Sequence, residues 1–208
     1  MRNRVIYLIL LFFFSYVKAL AQERAYFNQT EVGFLWGKGT KSWEGDYENR
    51  MNLTVSSFHG AKINAHHVVG FGIGYDQYEN LSLIPISLGW RGFLGKEGRP
   101  QLFGGMDLGG GSTLLEKKET TDWYSNWYEG GLMLHPSLGI RLPAKNGKWA
   151  LSGTLGYKRQ QAYFFEGSFD RSGNQPLPGS STLPRGYSAM TETSFLFHSL
   201  VFRMGVMF

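Results

Sequence analysis

In the stretch LHPSLG, His135 and Ser137 stand two residues apart. In a strand that spacing puts both side chains on one face, as a base and a nucleophile would need to be. A histidine so placed could take the proton of the hydroxyl and open acyl-transfer chemistry. No acidic residue stands at a spacing that assigns it as orienter of that histidine. A second group is five charges, Glu31, Arg91, Asp107, Arg141 and Arg203, set in segments otherwise made of Gly, Ser and apolar residues. A third is TDWYSNWY, where Trp123, Tyr124, Trp127 and Tyr128 bring the amphipathic rings that suit partner or sugar contact. His59, His66, His67 and His198 show no metal-ligand spacing, and the adjacent His66 and His67 point to opposite faces of a strand. The chain has no cysteine, which excludes thiolate metal sites, disulfides and a cysteine-borne lipid anchor. No cofactor is expected.

The elements that must position these residues read with period 2. Eight segments alternate an apolar face with a Gly, Ser or charged face: TEVGFLWGK, MNLTVSSFHGAK, HVVGFGIGYD, LIPISLGWRGFL, QLFGGMDLGGG, GLMLHPSLGIRL, WALSGTLGYK and LVFRMGVMF. Helical periodicity is absent. The connections INAH, GKEGRP and AKNGK are short, the last with the tight-hairpin pair Asn146-Gly147. They alternate with longer ones: GTKSWEGDYENR, QYENLS, the stretch around TDWYSNWY, and a Ser/Gly/Pro-rich run near Gly173 to Gly186 that is given no function. Alternating short turns and long loops predict an outer-membrane barrel, and an even strand count puts both termini on the periplasmic side. The 28 glycines lie mostly inside strands, where only close packing or sharp curvature justifies them, and a small closed barrel needs both.

The start of the chain is basic (Arg2, Arg4), then apolar from Val5 to Val17, then Ala19-Leu20-Ala21. This is the order of a cleaved secretory signal over residues 1–21, with the mature domain at 22–208. The apolar run is about 13 residues, short of the roughly 20 a helical span requires. Removing the leader takes three of the 21 basic residues and none of the 16 acidic ones, so the mature charge is close to +2. The remaining Lys and Arg are scattered, which removes the electrostatic case for nucleic acid.

In a soluble lipocalin-like barrel the apolar face would turn inward. Three features put lipid outside instead: the leader, a charged face rich in glycine rather than in solvating Lys and Glu, and aromatics at strand ends. Those aromatics, Trp36, Tyr75, Trp90, Trp149 and Tyr157, stand where membrane girdles lie. LVFRMGVMF, with Phe208 last and apolar residues alternating before it, resembles the C-terminal signature of outer-membrane proteins. The resemblance implies that Phe208 is an assembly signal read by the barrel assembly machinery. Taken whole, the chain resembles the small eight-stranded outer-membrane barrels, OmpX-like and PorT-like families among them. That implies an all-β, eight-stranded antiparallel transmembrane barrel in the cell outer membrane, among outer-membrane lipid and lipopolysaccharide, with no particular activity.

Eight strands enclose little beyond their own side chains, which argues against a channel. His135-x-Ser137 is similar to the His-x-Ser of PagL-type lipid A deacylases, but Leu138 stands where that family has an asparagine, and the pair falls on the interior face while acyl chains lie outside. The expected function is therefore non-enzymatic: a structural or binding component of the envelope, whose external loops meet an envelope protein or surface glycan. A lipid A acyl-chain enzyme is the alternative. Inside, Arg203 needs a carboxylate, because an unpaired charge in a filled interior costs several kcal/mol. Closure sets the last strand beside the first, so the expected partner is Glu31, with Arg91 and Arg141 sharing the carboxylates.

Overall fold

The computed structural model describes residues 26–41, 47–79, 81–145, 147–169 and 187–208. The leader, Asn146 and the Ser/Gly/Pro-rich run lie outside the described residues. Eight long strands follow in order: β1 (Tyr26–Lys41), β2 (Tyr47–Lys62), β3 (His67–Tyr78), β4 (Leu81–Leu94), β5 (Gln101–Ser112), β6 (Tyr124–Pro143), β7 (Ala150–Phe169) and β8 (Tyr187–Met207). A two-residue strand, Glu119–Thr120, adds to the edge of β6. Each long strand pairs antiparallel with its chain neighbour, and β1 pairs with β8, so the ring is closed. The fold is an eight-stranded antiparallel barrel of the transmembrane outer-membrane kind.

At the seam between β1 and β8, Val32 stands opposite Met204 and Phe34 opposite Phe202. The approach there is close: a Cβ on Gly33 would lie 1.8 Å from the Phe202 carbonyl oxygen, so only glycine fits. Asn28 and Phe208 exchange both backbone hydrogen bonds, at 3.2 and 2.9 Å, which ties the chain end into the ring.

Burial decides which face is which. Val32, Phe34, Phe71, Leu88, Leu108, Leu138, Leu155, Phe202 and Met204 are all exposed, while Glu31, Asp76, Arg91, Asp107, Lys158 and Arg203 are all buried. A barrel in water could not hold that inverted distribution, whereas lipid requires it. Trp36, Trp90 and Tyr157 lie on the same outer surface.

The strands are unequal. β3 and β5 have 12 residues, enough to cross a bilayer, while β6, β7 and β8 have 20, 20 and 21. The surplus rises at the end opposite the short turns, because β6 continues past Leu132, the last residue that β5 pairs. The result is a partial wall standing above the ring on one side. A bulge between Gly130 and Met133 of β6 inserts one extra residue against β7, so the inside–outside alternation of β6 inverts above it.

Candidate functional site

The interior is layered. At the short-turn end Phe27, Phe58, Val68, Phe93, Phe103, Ala150 and Met207 form an apolar plug. At the other end Leu35, Tyr78, Leu81, Leu83, Ala162 and Val201 form a second plug, flanked by Tyr128, Phe195 and Phe197. The buried charges Glu31, Asp76, Arg91, Asp107, Lys158 and Arg203 lie between them. The void recorded among Arg91, Asp107, His135, Lys158 and Arg203 is about 20 Å³, room for roughly one water.

Within this layer the charges are grouped. Arg91 holds Asp107 with two parallel bonds, Nη1 to Oδ1 at 2.7 Å and Nη2 to Oδ2 at 3.0 Å, and its Nε donates to Gln29 at 3.0 Å. Its guanidinium lies 4.2 Å from the centre of the Phe58 ring, which joins the charged layer to the plug below. Asp76 forms the second group. It accepts hydrogen bonds from Lys158 and from Thr54 Oγ1, the latter at 2.6 Å, and its other neighbour is Arg203 at 3.7 Å. Arg203 in turn donates to Thr54 Oγ1 at 2.6 Å. Glu31 accepts from Ser152 Oγ at 2.7 Å and Thr154 Oγ1 at 2.6 Å.

The expected Glu31–Arg203 pair is therefore not formed. Glu31 stands opposite Gly205 and Arg203 opposite Gly33, two residues apart along the seam. The long arginine crosses instead to Thr54 on β2 and Asp76 on β3, while two hydroxyls from β7 satisfy the glutamate. Asp76 is the carboxylate missing from the sequence reading, although a signal existed: it has the same strand parity as the inward Gly70, Gly72 and Gly74. Arg141 also departs from expectation. It is half-buried near the short turns and donates to the neutral Gln101 at 2.7 Å, rather than sharing the layer's carboxylates.

His135 and Ser137 are both buried in the same layer. The structure supplies the orienter that spacing could not: Asp107 Oδ2 lies 3.3 Å from His135 Nδ1, which must be the protonated nitrogen beside an acceptor-only carboxylate. The other half of a triad is missing. His135 Nε2 has no hydrogen-bond partner, Ser137 included, and it abuts Gly156. Two apolar plugs and the barrel wall separate the pair from any acyl chain. Among the described residues no group of three His, Cys, Asp or Glu could hold a metal.

The mouth at the long-strand end is different. A cavity of about 220 Å³ opens there, lined by Tyr78, Leu81, Tyr128, Phe195 and Phe197, with Lys38 and Glu79 also on its wall. Tyr78 stacks on Phe197 at 4.3 Å, and Arg50 holds its guanidinium over both rings at 4.9 and 5.1 Å. Arg50 is buried, its Nη2 donating to Ser199 at 2.8 Å and its Nε to the Lys38 carbonyl at 2.9 Å. Of these residues only Tyr128 was singled out by sequence, since an inward aromatic is indistinguishable from an ordinary core residue.

The four loop aromatics are not in one loop. Trp123 is exposed just before β6, Tyr124 opens the strand, and Trp127 and Tyr128 lie within it. Adjacent strand residues face opposite sides, and the bulge below decides which of the last two turns inward. Tyr128 turns inward against Phe164 at 4.8 Å, while Trp127 stacks outside on Phe165 at 5.2 Å. Trp127 is further covered by Lys118, 4.7 Å from its ring centre, and donates to Glu129 at 2.9 Å. Phe208 is exposed at the end of the closing strand.

No family model matches the chain. No curated protein matches it. Among solved structures, the chain is similar to the outer membrane protein AlkL in lipid bilayers, at 13% identity and a TM-score of 0.49, over 88% of this chain and 89% of that one. It is also similar to the outer membrane protein OprG from Pseudomonas aeruginosa, at 9% identity and 0.48, over 88% and 93%. A weaker likeness is to the translocator domain of the autotransporter NalP from Neisseria meningitidis, at 13% identity and 0.33, over 91% and 90%. At TM-scores below 0.5 these likenesses carry no weight for fold or function, and the barrel stands on its own strand pairing.

Proposed function

We propose that the protein is a non-conducting, non-enzymatic barrel of the outer membrane, a structural or binding component of the envelope that works through its external end. The observation that carries this reading is the layered interior: among the described residues a charged layer is stacked between two apolar plugs, and His135 and Ser137 are buried within it, which supports a barrel closed to water and to substrate. The long-strand end, with its rising wall and open mouth, is the surface left to meet a partner, whether an envelope protein or a surface glycan. Outer-membrane lipid and lipopolysaccharide are its surroundings, the assembly machinery its insertion partner, and the short turns and termini its periplasmic end. The lipid A enzyme reading is disfavoured by the unpartnered His135 Nε2.

The test uses the absence of cysteine. Leu114→Cys, exposed between β5 and β6, should react with a membrane-impermeant maleimide on whole cells. Lys96→Cys, in the turn between β4 and β5, should react only after lysis. The opposite pattern, or stepwise ion conductance of the purified barrel in planar bilayers, would overturn the proposal.

A further inference from the structure

The cavity at the external mouth has a size and lining that select a ligand class. An apolar cavity of about 150 Å³ lined by Leu, Ile and Phe stays dry and takes up benzene. The present one is about 220 Å³ and open at the mouth rather than enclosed, and its wall carries aromatic rings from three strands, Tyr78 of β3, Tyr128 of β6, and Phe195 and Phe197 of β8, beside two leucines, a glycine, Lys38 and Glu79. The Phe195 and Phe197 rings are parallel to within 2° at 6.0 Å, and Tyr78 continues the stack at 4.3 Å from Phe197. Ring pairs favour centroid separations of about 4.5–7 Å, so a guest ring entering beside Phe195 and Tyr128 would extend a stack already in place. Preformed rings lose little entropy on binding, which favours such a guest over a flexible chain. Lys38 and Glu79 lie on the same wall.

We infer that the mouth cavity is a binding site for a small apolar molecule built on one aromatic ring, of substituted-benzene size. The site is a dead end. Leu35, Leu83, Ala162 and Val201 pack directly beneath it, so the guest is held at the mouth and not passed through the barrel. The inference rests on the reading of the long-strand end as the external, working end, and it adds the ligand class.

Toluene is the probe. With 4-fluorophenylalanine placed at Phe197, and in a second sample at the lipid-facing Phe202, fluorine NMR of the full barrel in lipid nanodiscs should separate binding from partitioning. The Phe197 signal should shift saturably with toluene, while the Phe202 signal should drift linearly as toluene enters the bilayer. Tyr128→Trp, which fills the cavity, should raise the half-saturating concentration at least tenfold. If that variant does not migrate as a closed barrel on an unboiled gel, Phe195→Asp takes its place with the same expected loss. A linear response at Phe197, or a half-saturating concentration unchanged in the folded variant, would overturn the inference. Neither result depends on the maleimide pattern, so this inference and the reading beneath it fail separately.

Discussion

Replacing Asp76 by alanine tests the account of the charged layer. The carboxylate is fully buried, accepts from Lys158 and Thr54, and lies 3.7 Å from Arg203. At an effective dielectric constant near 20, opposite charges that far apart attract by about 4.5 kcal/mol. Asp76→Ala strands two buried cations, so the loss should reach about 4 kcal/mol, within the range for breaking a buried pair. Lys158→Met leaves Asp76 with Arg203 and Thr54 and should cost about 2 kcal/mol. The double variant removes one charge of each sign and should cost about 4 kcal/mol rather than the sum, a coupling of about 2 kcal/mol. Urea unfolding in lipid vesicles, followed by the gel migration that separates closed from unfolded barrel, measures all three. Glu31→Ala combined with Arg203→Met is the control. Those side chains do not meet, so their effects should add, with Glu31→Ala losing about 1–3 kcal/mol through two buried hydroxyls left without an acceptor. Additivity for Asp76 and Lys158, or coupling for Glu31 and Arg203, would refute the geometry.

Two further outcomes follow from the outer surface. Trp36, exposed on the lipid side of β1, should be quenched by brominated lipid, and an unquenched Trp36 would reverse the assignment of faces. Phe208→Ser keeps the backbone bonds to Asn28 and removes only an exposed ring, so folded stability should change by no more than about 0.5 kcal/mol while the amount of assembled barrel falls. Normal assembly of that variant would count against Phe208 as a signal.

The strands and their faces were legible because alternation is a local property: Val32, Phe34 and Trp36 announce an outer face without reference to any other strand. Partners were not, because they depend on register. Arg203 could be placed inside from its own strand, but whether it meets Glu31 or Asp76 is decided by the barrel's width and by where neighbouring strands lie against one another. Asp76 was within reach, one step beyond the inward glycines of β3. Which of Trp127 and Tyr128 turns inward was not, because one inserted residue at the bulge inverts the pattern without changing composition. The two plugs were hidden for a related reason. Phe58 and Phe103 share strand faces with Thr54 and Asp107, and a face averaged over its length reads as polar.

Sliding one strand of this barrel past its neighbour by two residues would keep every lipid-facing side chain in lipid and every inward one inside. The alternation that specifies the fold is therefore blind to such a slip. The interior is not. A two-residue slip of β3 would carry Asp76 out of line with Thr54, Lys158 and Arg203, which come from three other strands, and would leave charges of both signs unmatched in a space without water to spare. The buried charges thus work as the notches of a key, rejecting near-miss arrangements that the greasy exterior would accept. The same notches make late correction hard, because a ring closed one step out of line must reopen before its charges can find one another.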